Sequence, residues 1–387
     1  MKAINGGASP GLAVRNTPHT PMRNKSSWQS ENATLASTTK TPWLSVFPAR
    51  EVADAQRWSD FVRSHEECTS YHRWEWKRVI ENTFGWHTLF LIAEEGNKVV
   101  GILPLVLQDS WLFGRWLSSV PIVQGGGVAA ETHEASQALL EAAIRVTMQL
   151  RGRYLELRNT SGSGLGLLTR TDKVRAVLEI VPNTTVMWNG LDPKVRNLVR
   201  KGIKNGLSAV FGGAELIDEF YRIFARNMRD LGTPVYGKSL FGEVMNAFPQ
   251  DSRICLVHHE GKTIAAAFLL GYRQTIESVW ASSSRESLAL SPNMFLYWSV
   301  ITFASQHGYQ VLDFGRSTAG SSTHRFKTQW GTRDIPLLWS YWLPSGSELP
   351  SMDRHNTRFH AAIRFWKQLP LGIANQVGPR VVRHLPS

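Results

Sequence analysis

From Trp43 onward the chain repeats one pattern of apolar and polar positions. Two segments read as strand, turn, strand: HTLFLIAEEGNKVVGILPLVL at 87–107 and SRICLVHHEGKTIAAAFLLGY at 252–272. In each, an apolar run meets a Glu/Gly turn and resumes, which predicts a hairpin. Placing Gly96 on Gly261 fixes an offset of 165 residues. At that offset Val99 falls on Ile264, Tyr71 on Tyr236, Trp76 on Phe241 and Val79 on Val244. A tyrosine, a short amphipathic helix and a hairpin therefore recur in the same order.

A second correspondence follows downstream. The helical stretch 135–150 precedes YLEL (154–157), and the helical stretch 293–307 precedes VLDF (311–314), which sets Leu155-Glu156-Leu157 on Leu312-Asp313-Phe314. Chance likeness of generic hairpins is the competing explanation, and two ordered matches argue against it. Each copy reads helix, antiparallel hairpin, helix, buried strand, loop. That order predicts an α/β (α+β) domain with a mixed sheet flanked by helices. The boundaries expected are 42–182 for the first copy and 183–345 for the second. Residues 1–41 are rich in Ser, Thr, Asn, Pro and Gly. They hold too little apolar surface to offset ordering entropy, which predicts a disordered tail.

Between the copies lies a helix with clear punctuation. Asp192 caps it, Pro193 suits its first turn, and Gly206 ends it. Arg196, Arg200 and Lys204 recur every four residues and share a face, while Leu198 and Ile203 are expected to pack. That face is either a ridge for phosphate or carboxylate groups or a solvated surface. The segment 346–387 reads as a basic amphipathic tail, with HAAIRFWKQL as a short helix. It can lie on a membrane or dock on the second domain.

Composition narrows the classes. The 387 residues carry a formal charge of +12, but the ends hold most of it: +4 in residues 1–41 and +5 in residues 350–387. The body keeps +3, too little for a dedicated nucleic-acid binder, which concentrates charge on a folded face. The ends suit loose contact with anionic surfaces such as phospholipid. Two cysteines, Cys68 and Cys255, exclude a disulfide framework. No apolar run approaches the length of a membrane span, and the N-terminus has no apolar signal core. These features predict a cytoplasmic protein, peripheral at most to the inner membrane.

The candidate chemistry concentrates in DFGRSTAGSSTHRFKTQWG, residues 313–331. Phosphate-loop, dinucleotide, zincin and GxSxG signatures are missing, GGG at 125–127 reads as a turn, and SGSGLG at 161–166 is a weak phosphate cradle. What remains suits acyl transfer without a covalent intermediate. Asp313 at a strand end can orient or deprotonate an amine. Lys327 can stabilise an oxyanion. Arg316 can grip an anion bidentately, with Ser317 beside it. His324 is a second base candidate. Phe326 and Trp330 offer an apolar wall, and Asn293 and Tyr297 stand near the start of the helix at 291–308 and are expected to reach the same cleft. No metal is implied. Alternatives remain for each, the plainest being that Asp313 caps a turn and Trp330 belongs to the core.

The stretches YHRWEWKRVIENTFG, TRTDKVRAVLEI, DPKVRNLVRKGIKNGLSAVFGG, FYRIFARNMRDLGTPVYGKSLF, WASSSRESLALSPNMFLYW and LDFGRSTAGSSTHRFKTQWG together resemble the FemAB family. They resemble in particular its branch associated with PEP-CTERM/exosortase exopolysaccharide loci. The resemblance covers about residues 43–345, and KQLPLGIANQVGPRVVRHLP looks like that branch's tail. It implies two tandem GNAT-like domains. FemAB relatives move amino acids from aminoacyl-tRNA to an amine of a peptidoglycan precursor, and other relatives of the fold use acyl-CoA. Their Phe-Lys pair at the transfer site corresponds to Phe326-Lys327. Their acceptor sites use basic and tyrosine side chains, and no residue here aligns with those. No long helical-hairpin insertion for tRNA is visible, and the modest body charge disfavours tRNA. The resemblance thus implies an N-acyltransferase with acyl-CoA or aminoacyl-tRNA as donor substrate and no tightly bound cofactor. Its acceptor would be an amino-sugar or peptide-bearing envelope or exopolysaccharide precursor. The alternative is a non-catalytic scaffold that binds such a precursor.

Overall fold

The computed structural model describes residues 43–159, 164–346 and 357–386. The expected tail at 1–41 and the start of the 161–166 glycine stretch lie outside the described residues. In chain order the first unit comprises β1 (Leu44–Pro48), α1 (Ala55–Ser64), α2 (Trp76–Phe84), β2 (His87–Glu95), β3 (Lys98–Ser110), β4 (Gly114–Ser119), β5 (Ala129–Ala130), α3 (His133–Gln149), β6 (Leu155–Asn159) and β7 (Leu168–Arg170). There follow β8 (Lys173–Glu179), α4 (Thr184–Gly190), α5 (Pro193–Lys204), β9 (Ser208–Gly212), α6 (Ile217–Leu231), α7 (Lys238–Ala247), β10 (Ser252–His259), β11 (Lys262–Tyr272), β12 (Thr275–Ser283) and α8 (Pro292–Gln306). The chain continues through β13 (Val311–Thr318), α9 (Ser322–Thr328), β14 (Arg333–Pro336), β15 (Leu338–Trp342), α10 (Thr357–Gln368) and α11 (Leu371–Val382).

Both expected hairpins form, β2 with β3 and β10 with β11, and both are antiparallel. The second correspondence also holds, since β6 follows α3 as β13 follows α8, and each pairs in parallel with the strand after its hairpin, β4 and β12. Sheet one runs β1-β2-β3-β4-β6-β15-β7, with β5 on β3, and sheet two runs β14-β8-β13-β12-β11-β10-β9. The two sheets exchange strands: β15, late in the chain, completes sheet one, while β8 lies between β14 and β13 in sheet two. A cut near residue 182 therefore separates each of these strands from the sheet it completes.

The repeat packs against itself. Trp76, Val79 and Ile80 of α2 meet Phe241, Val244 and Met245 of α7 in one buried cluster with Phe220, Phe268 and Trp280. Large rings bury about 150–250 Å² each, so this shared core fuses the two units. It also takes up part of the chain's 15 tryptophans and 17 phenylalanines. The other face of sheet two carries a second core, built with α5 and α8. On α5 the caps form as expected, with Asp192 accepting from the Lys194 N–H. The packing residues differ: Leu198 and Ile203 are exposed, and Val195 and Val199 are buried. The i, i+4 valines face α8, which leaves the leucine and isoleucine to turn outward.

Of the two placements open to the C-terminal segment, the described residues take the docked one. Arg229 Nη1 donates to the Leu369 carbonyl at 3.0 Å, and Ser110 Oγ donates to the His384 carbonyl at 2.8 Å. The segment thus lies on α6 and touches the end of β3. Among the described residues no helix is long and apolar enough to cross a membrane.

Candidate active site

The site is built where two parallel strands meet for only three residue pairs. β12 and β13 pair through Thr275↔Val311, Ile276↔Leu312 and Glu277↔Asp313. Leu312 and Phe314 point into the core shared with α8. Strand alternation therefore turns Asp313 to the opposite face, toward the first unit. Asp313 does not end its strand, as the sequence suggested; β13 continues to Thr318 through a bulge between Asp313 and Arg316. Gly315 sits in that bulge with φ +78°, and a Cβ there would lie 3.1 Å from the Ser278 carbonyl. The bulge re-aims the backbone. The Gly315 N–H donates to Asp313 Oδ1 at 2.8 Å, and the Gly315 carbonyl accepts from Lys327 Nζ at 2.9 Å. Lys327 Nζ also donates to the Arg316 carbonyl at 3.0 Å. An ammonium has three donors, so one N–H remains for a ligand.

The first unit closes the site with two side chains. Tyr71 donates to Glu277 Oε2 at 2.6 Å. Gln124 Nε2 spans both carboxylates, 2.7 Å from Glu277 Oε1 and 3.2 Å from Asp313 Oδ2. Both donors are held by local structure. The Trp58 and Trp76 indoles donate to the His72 and Ser70 carbonyls on either side of Tyr71. His72 Nδ1 accepts from the Thr69 N–H, so its Nε2 carries the proton and donates to the Gly127 carbonyl at 3.0 Å. Burial pulls His72 down to about 4, so the ring stays neutral at physiological pH. The loop that carries Gln124 is strained, since β-branched Ile122 adopts φ +67°. It is also close-packed: a Cβ on Gly127 would fall 2.0 Å from Asn159 Oδ1. Gly127→Ala is therefore expected to lower stability by about 1–3 kcal/mol and to reduce turnover by displacing Gln124. Thermal melts alongside rate measurements check both.

Electrostatics divides the roles of the carboxylates. Burial, then the charge of Asp313, pushes Glu277 up to about 8. Although Glu277 as a residue keeps some surface, its carboxyl is enclosed. Burial raises Asp313 too, but Arg175 Nη1 at 3.4 Å, the Gly315 N–H and Lys327 oppose that rise. Two carboxylates sharing one donor do not ionise independently. The charge rests on Asp313, which faces the cations, and the proton on Glu277. Burial also pulls Lys327 down to about 8, against the pull of Asp313 and Glu277. The site therefore holds an acid and an ammonium that both exchange protons near neutral pH.

The structure brings together part of the predicted set. Asp313, Arg316 and Lys327 share the junction between the units. Arg316 stays paired with Arg175 in sheet two, and its side chain lies over Trp339 of sheet one, 4.7 Å from the ring centroid, where buried Arg158 lies at 4.3 Å. Ser317 is buried beside them on β13, its Oγ without a partner among the described residues. His324 is not a free base: its Nδ1 accepts from the Gly320 N–H, and its Nε2 lies 2.7 Å from Asp334 Oδ2. Ser321 caps the same helix through the His324 N–H, so this polar run is helix punctuation rather than open loop. Tyr297, Phe326 and Trp330 belong to the core on the far face of sheet two, where Tyr297 stacks on Phe314 at 4.7 Å. Asn293 stands in the first turn of α8 on that side, so the expected reach of Asn293 and Tyr297 into the cleft is corrected. Arg196 and Arg200 sit on α5, which also packs on that far face; Arg200 pairs with Asn197 Oδ1 and lies over Trp188. They are separated from Asp313 by the sheet. An apolar groove of about 320 Å³ opens there, lined by Ile203, Phe211, Phe295, Trp298 and Phe303.

Sequence reasoning missed Glu277, Gln124 and Arg175. Glu277 had a signal, an acid inside the alternating strand TIESVW. Gln124 had only its place before GGG. Tyr71 was visible as a repeated tyrosine without a role.

Residues 193–328 match the family profile described as Acetyltransferase (GNAT) domain. A solved structure titled FemX is similar at TM-score 0.60 and 14% identity, over 76% of this chain and 97% of that one. A tandem GNAT protein from the clavulanic acid biosynthesis pathway matches at TM-score 0.50 and 11% identity, over 80% of this chain and all (100%) of the other. The fold is the tandem GNAT fold. The C-terminal domain of a putative lysylphosphatidylglycerol synthetase from Agrobacterium fabrum is similar at TM-score 0.51 and 13% identity, covering 74% of this chain and 91% of that one. No curated protein matches the chain. At these identities the likeness is one of fold, and the tandem GNAT arrangement accounts for both the repeat and the site at its junction. Among the described residues no group of three or more His, Cys, Asp or Glu is placed to hold a metal ion.

Proposed function

We propose that the chain is an N-acyltransferase that forms an amide on an amino group of an exopolysaccharide or cell-envelope precursor. The observation that carries this reading is the enclosed set of Glu277, Asp313 and Lys327 at the point where β12 and β13 part. Direct amide formation needs a base for the amine, a fixed charge to orient it, and a donor for the oxyanion.

In the reaction the acceptor amine attacks the donor carbonyl. Glu277, ionised, takes the proton that the nitrogen loses. The acceptor enters as the neutral amine, and Asp313, held by Arg175, Gln124 and the Gly315 N–H, keeps its charge and orients it by accepting from one of its N–H groups before attack. The remaining N–H of Lys327 faces the oxyanion. When the tetrahedral intermediate collapses, the bond to the donor's leaving group breaks, and Glu277 returns its proton to that group. With acyl-CoA the leaving group is the thiol; with aminoacyl-tRNA it is the terminal ribose hydroxyl. Arg316 and Ser317 would contact the substrate at the mouth of the junction, and Arg316 has no carboxylate partner among the described residues. The base role moves from Asp313 to Glu277 because Arg175, the Gly315 N–H and Lys327 hold the charge on Asp313, whereas Glu277, pushed up to about 8, exchanges its proton near neutral pH.

The low charge of the body favours acyl-CoA over tRNA as donor. The branch associated with PEP-CTERM/exosortase loci supplies the acceptor class through the sequence resemblance. Incubating purified protein with panels of acyl-CoA and charged tRNA, together with amino-sugar and peptide acceptors, tests the reading. Product is expected with at least one donor and no added metal. Absence of product with every donor, combined with unchanged polymer in a Lys327→Ala strain, would overturn it in favour of the scaffold.

A further inference from the structure

The β3–β4 turn presents a surface that the transfer reading does not use. Trp111 and Leu112 stand at its tip with 78% and 56% of their surface exposed, while Phe113 turns inward onto the cluster of Trp116, Tyr154 and Trp339. The turn is rigidly made. Ser110 Oγ accepts from the Leu112 and Phe113 N–H groups at 3.2 and 3.1 Å, and it donates to the His384 carbonyl. A second contact, between His384 Nδ1 and the Asp109 carbonyl at 3.2 Å, ties the same turn to the end of the C-terminal segment.

That segment is basic throughout. Residues 357–386 contain five Lys/Arg and no Asp or Glu. On α11 the buried residues are Ala374 and Gly378, which leaves Ile373, Gln376, Arg380 and Arg383 exposed along another face. No ion pair engages Arg380 or Arg383 among the described residues. Arg153 adds a guanidinium close to Gly114 at the same turn, and Arg115 beside it is offset by Asp109 at 2.8 Å. A rigid apolar tip is thus flanked by uncompensated positive charge.

From this juxtaposition we infer that the Trp111-Leu112 turn and the outer face of α11 form a docking surface for an anionic lipid bilayer. The tip enters the headgroup region and the arginines face the lipid phosphates. Two projecting side chains are far too small for a specific protein interface, which buries about 800 Å² per partner. A bilayer needs no complementary shape. It accepts an amphipathic indole at the headgroup level and attracts each nearby Lys or Arg through its surface potential. The sequence placed membrane contact in the tails as a whole; the structure adds a hairpin tip from the first unit and places it at the end of α11.

Flotation of the full chain with vesicles tests the surface independently of any turnover. Binding is expected to vesicles of phosphatidylcholine mixed with phosphatidylglycerol, not to phosphatidylcholine alone, and it is expected to weaken as salt is raised. Trp111→Ser and, separately, Leu112→Ser should each weaken binding by about tenfold. Arg380→Gln with Arg383→Gln should do the same by removing two contacts with the surface potential. All are exposed, so melting temperatures should be unchanged. No binding to the mixed vesicles, equal binding to both vesicle types, or wild-type binding by the Trp111→Ser and Leu112→Ser proteins overturns the inference. A chain that binds vesicles as described but transfers no acyl group leaves the inference standing and removes only the proposed reaction.

Discussion

Replacing Lys327 with methionine is expected to lower the rate of amide formation by about 10²–10³-fold, the usual cost of removing one preorganised oxyanion donor. The protein should stay folded. Methionine keeps the apolar stem of this buried side chain, and the ammonium it removes is one that burial already disfavours. The two carbonyls it serves, at Gly315 and Arg316, lose a donor, which is why the Gly315 bulge is the feature to inspect in the variant. The loss should fall on kcat rather than KM, because the interaction is made with charge that develops only as the carbonyl is attacked. A rise in KM at constant kcat would instead make Lys327 a ground-state binding residue. Phe326, next to it, packs against Tyr297 in the core of sheet two.

The second large effect is on stability. Glu277→Gln should raise stability at neutral and alkaline pH by an amount on the order of 3 kcal/mol while abolishing the base. The sign follows from linkage. Glu277 keeps its proton in the folded state up to about 8, whereas the unfolded chain releases it near the ordinary carboxylate value. Between those values the unfolded state binds fewer protons, so stability falls as pH rises, and the loss is complete above about 8. Lys327 works in the other direction. Its folded value is depressed to about 8, so from there to the ordinary lysine range the folded state binds fewer protons and stability rises with pH. Together these two groups predict a trough near pH 8. Glu277→Gln should remove the acid side of the trough and Lys327→Met the alkaline side. Denaturant titrations across the pH range read this directly. A wild-type curve with no minimum in that region, unchanged in both variants, rules out the enclosed pair.

Much of the architecture was legible because it rests on periodicity. The hairpins, the buried strands and the repeat all follow from apolar runs and turn residues, and local rules fix such features. The exchange of β8 and β15 between sheets was not legible, since nothing in a strand's own pattern names its neighbour. The site divided along the same line. Asp313 and Lys327 stand close in sequence on one structural unit, so their meeting was foreseeable. Glu277 joins them through parallel strand register, and Gln124 and Tyr71 arrive from the other unit, 189 positions before Asp313 and 206 before Glu277 respectively. His324, Asn293 and Tyr297 looked like site residues because they are polar or aromatic near the motif. Helix capping claims the first, and the packing of α8 on the far face of sheet two places the other two behind the sheet. Arg196 and Arg200 share a helix face as expected, but that helix packs on the wrong side.

The measurement that bears most directly on the account is the pH dependence of kcat/KM for amide formation. Ionisation of the Glu277 and Asp313 pair should raise it on the acid side, and loss of the Lys327 proton should lower it on the alkaline side, which gives a bell centred near pH 8. In Glu277→Gln the acid limb should vanish with the rate, and in Lys327→Arg, where the charge persists, the alkaline limb should move upward. A bell with those two responses is the predicted result. A profile that is flat across this range in the wild type, or one that keeps both limbs in both variants, contradicts the claim that these three side chains carry the reaction.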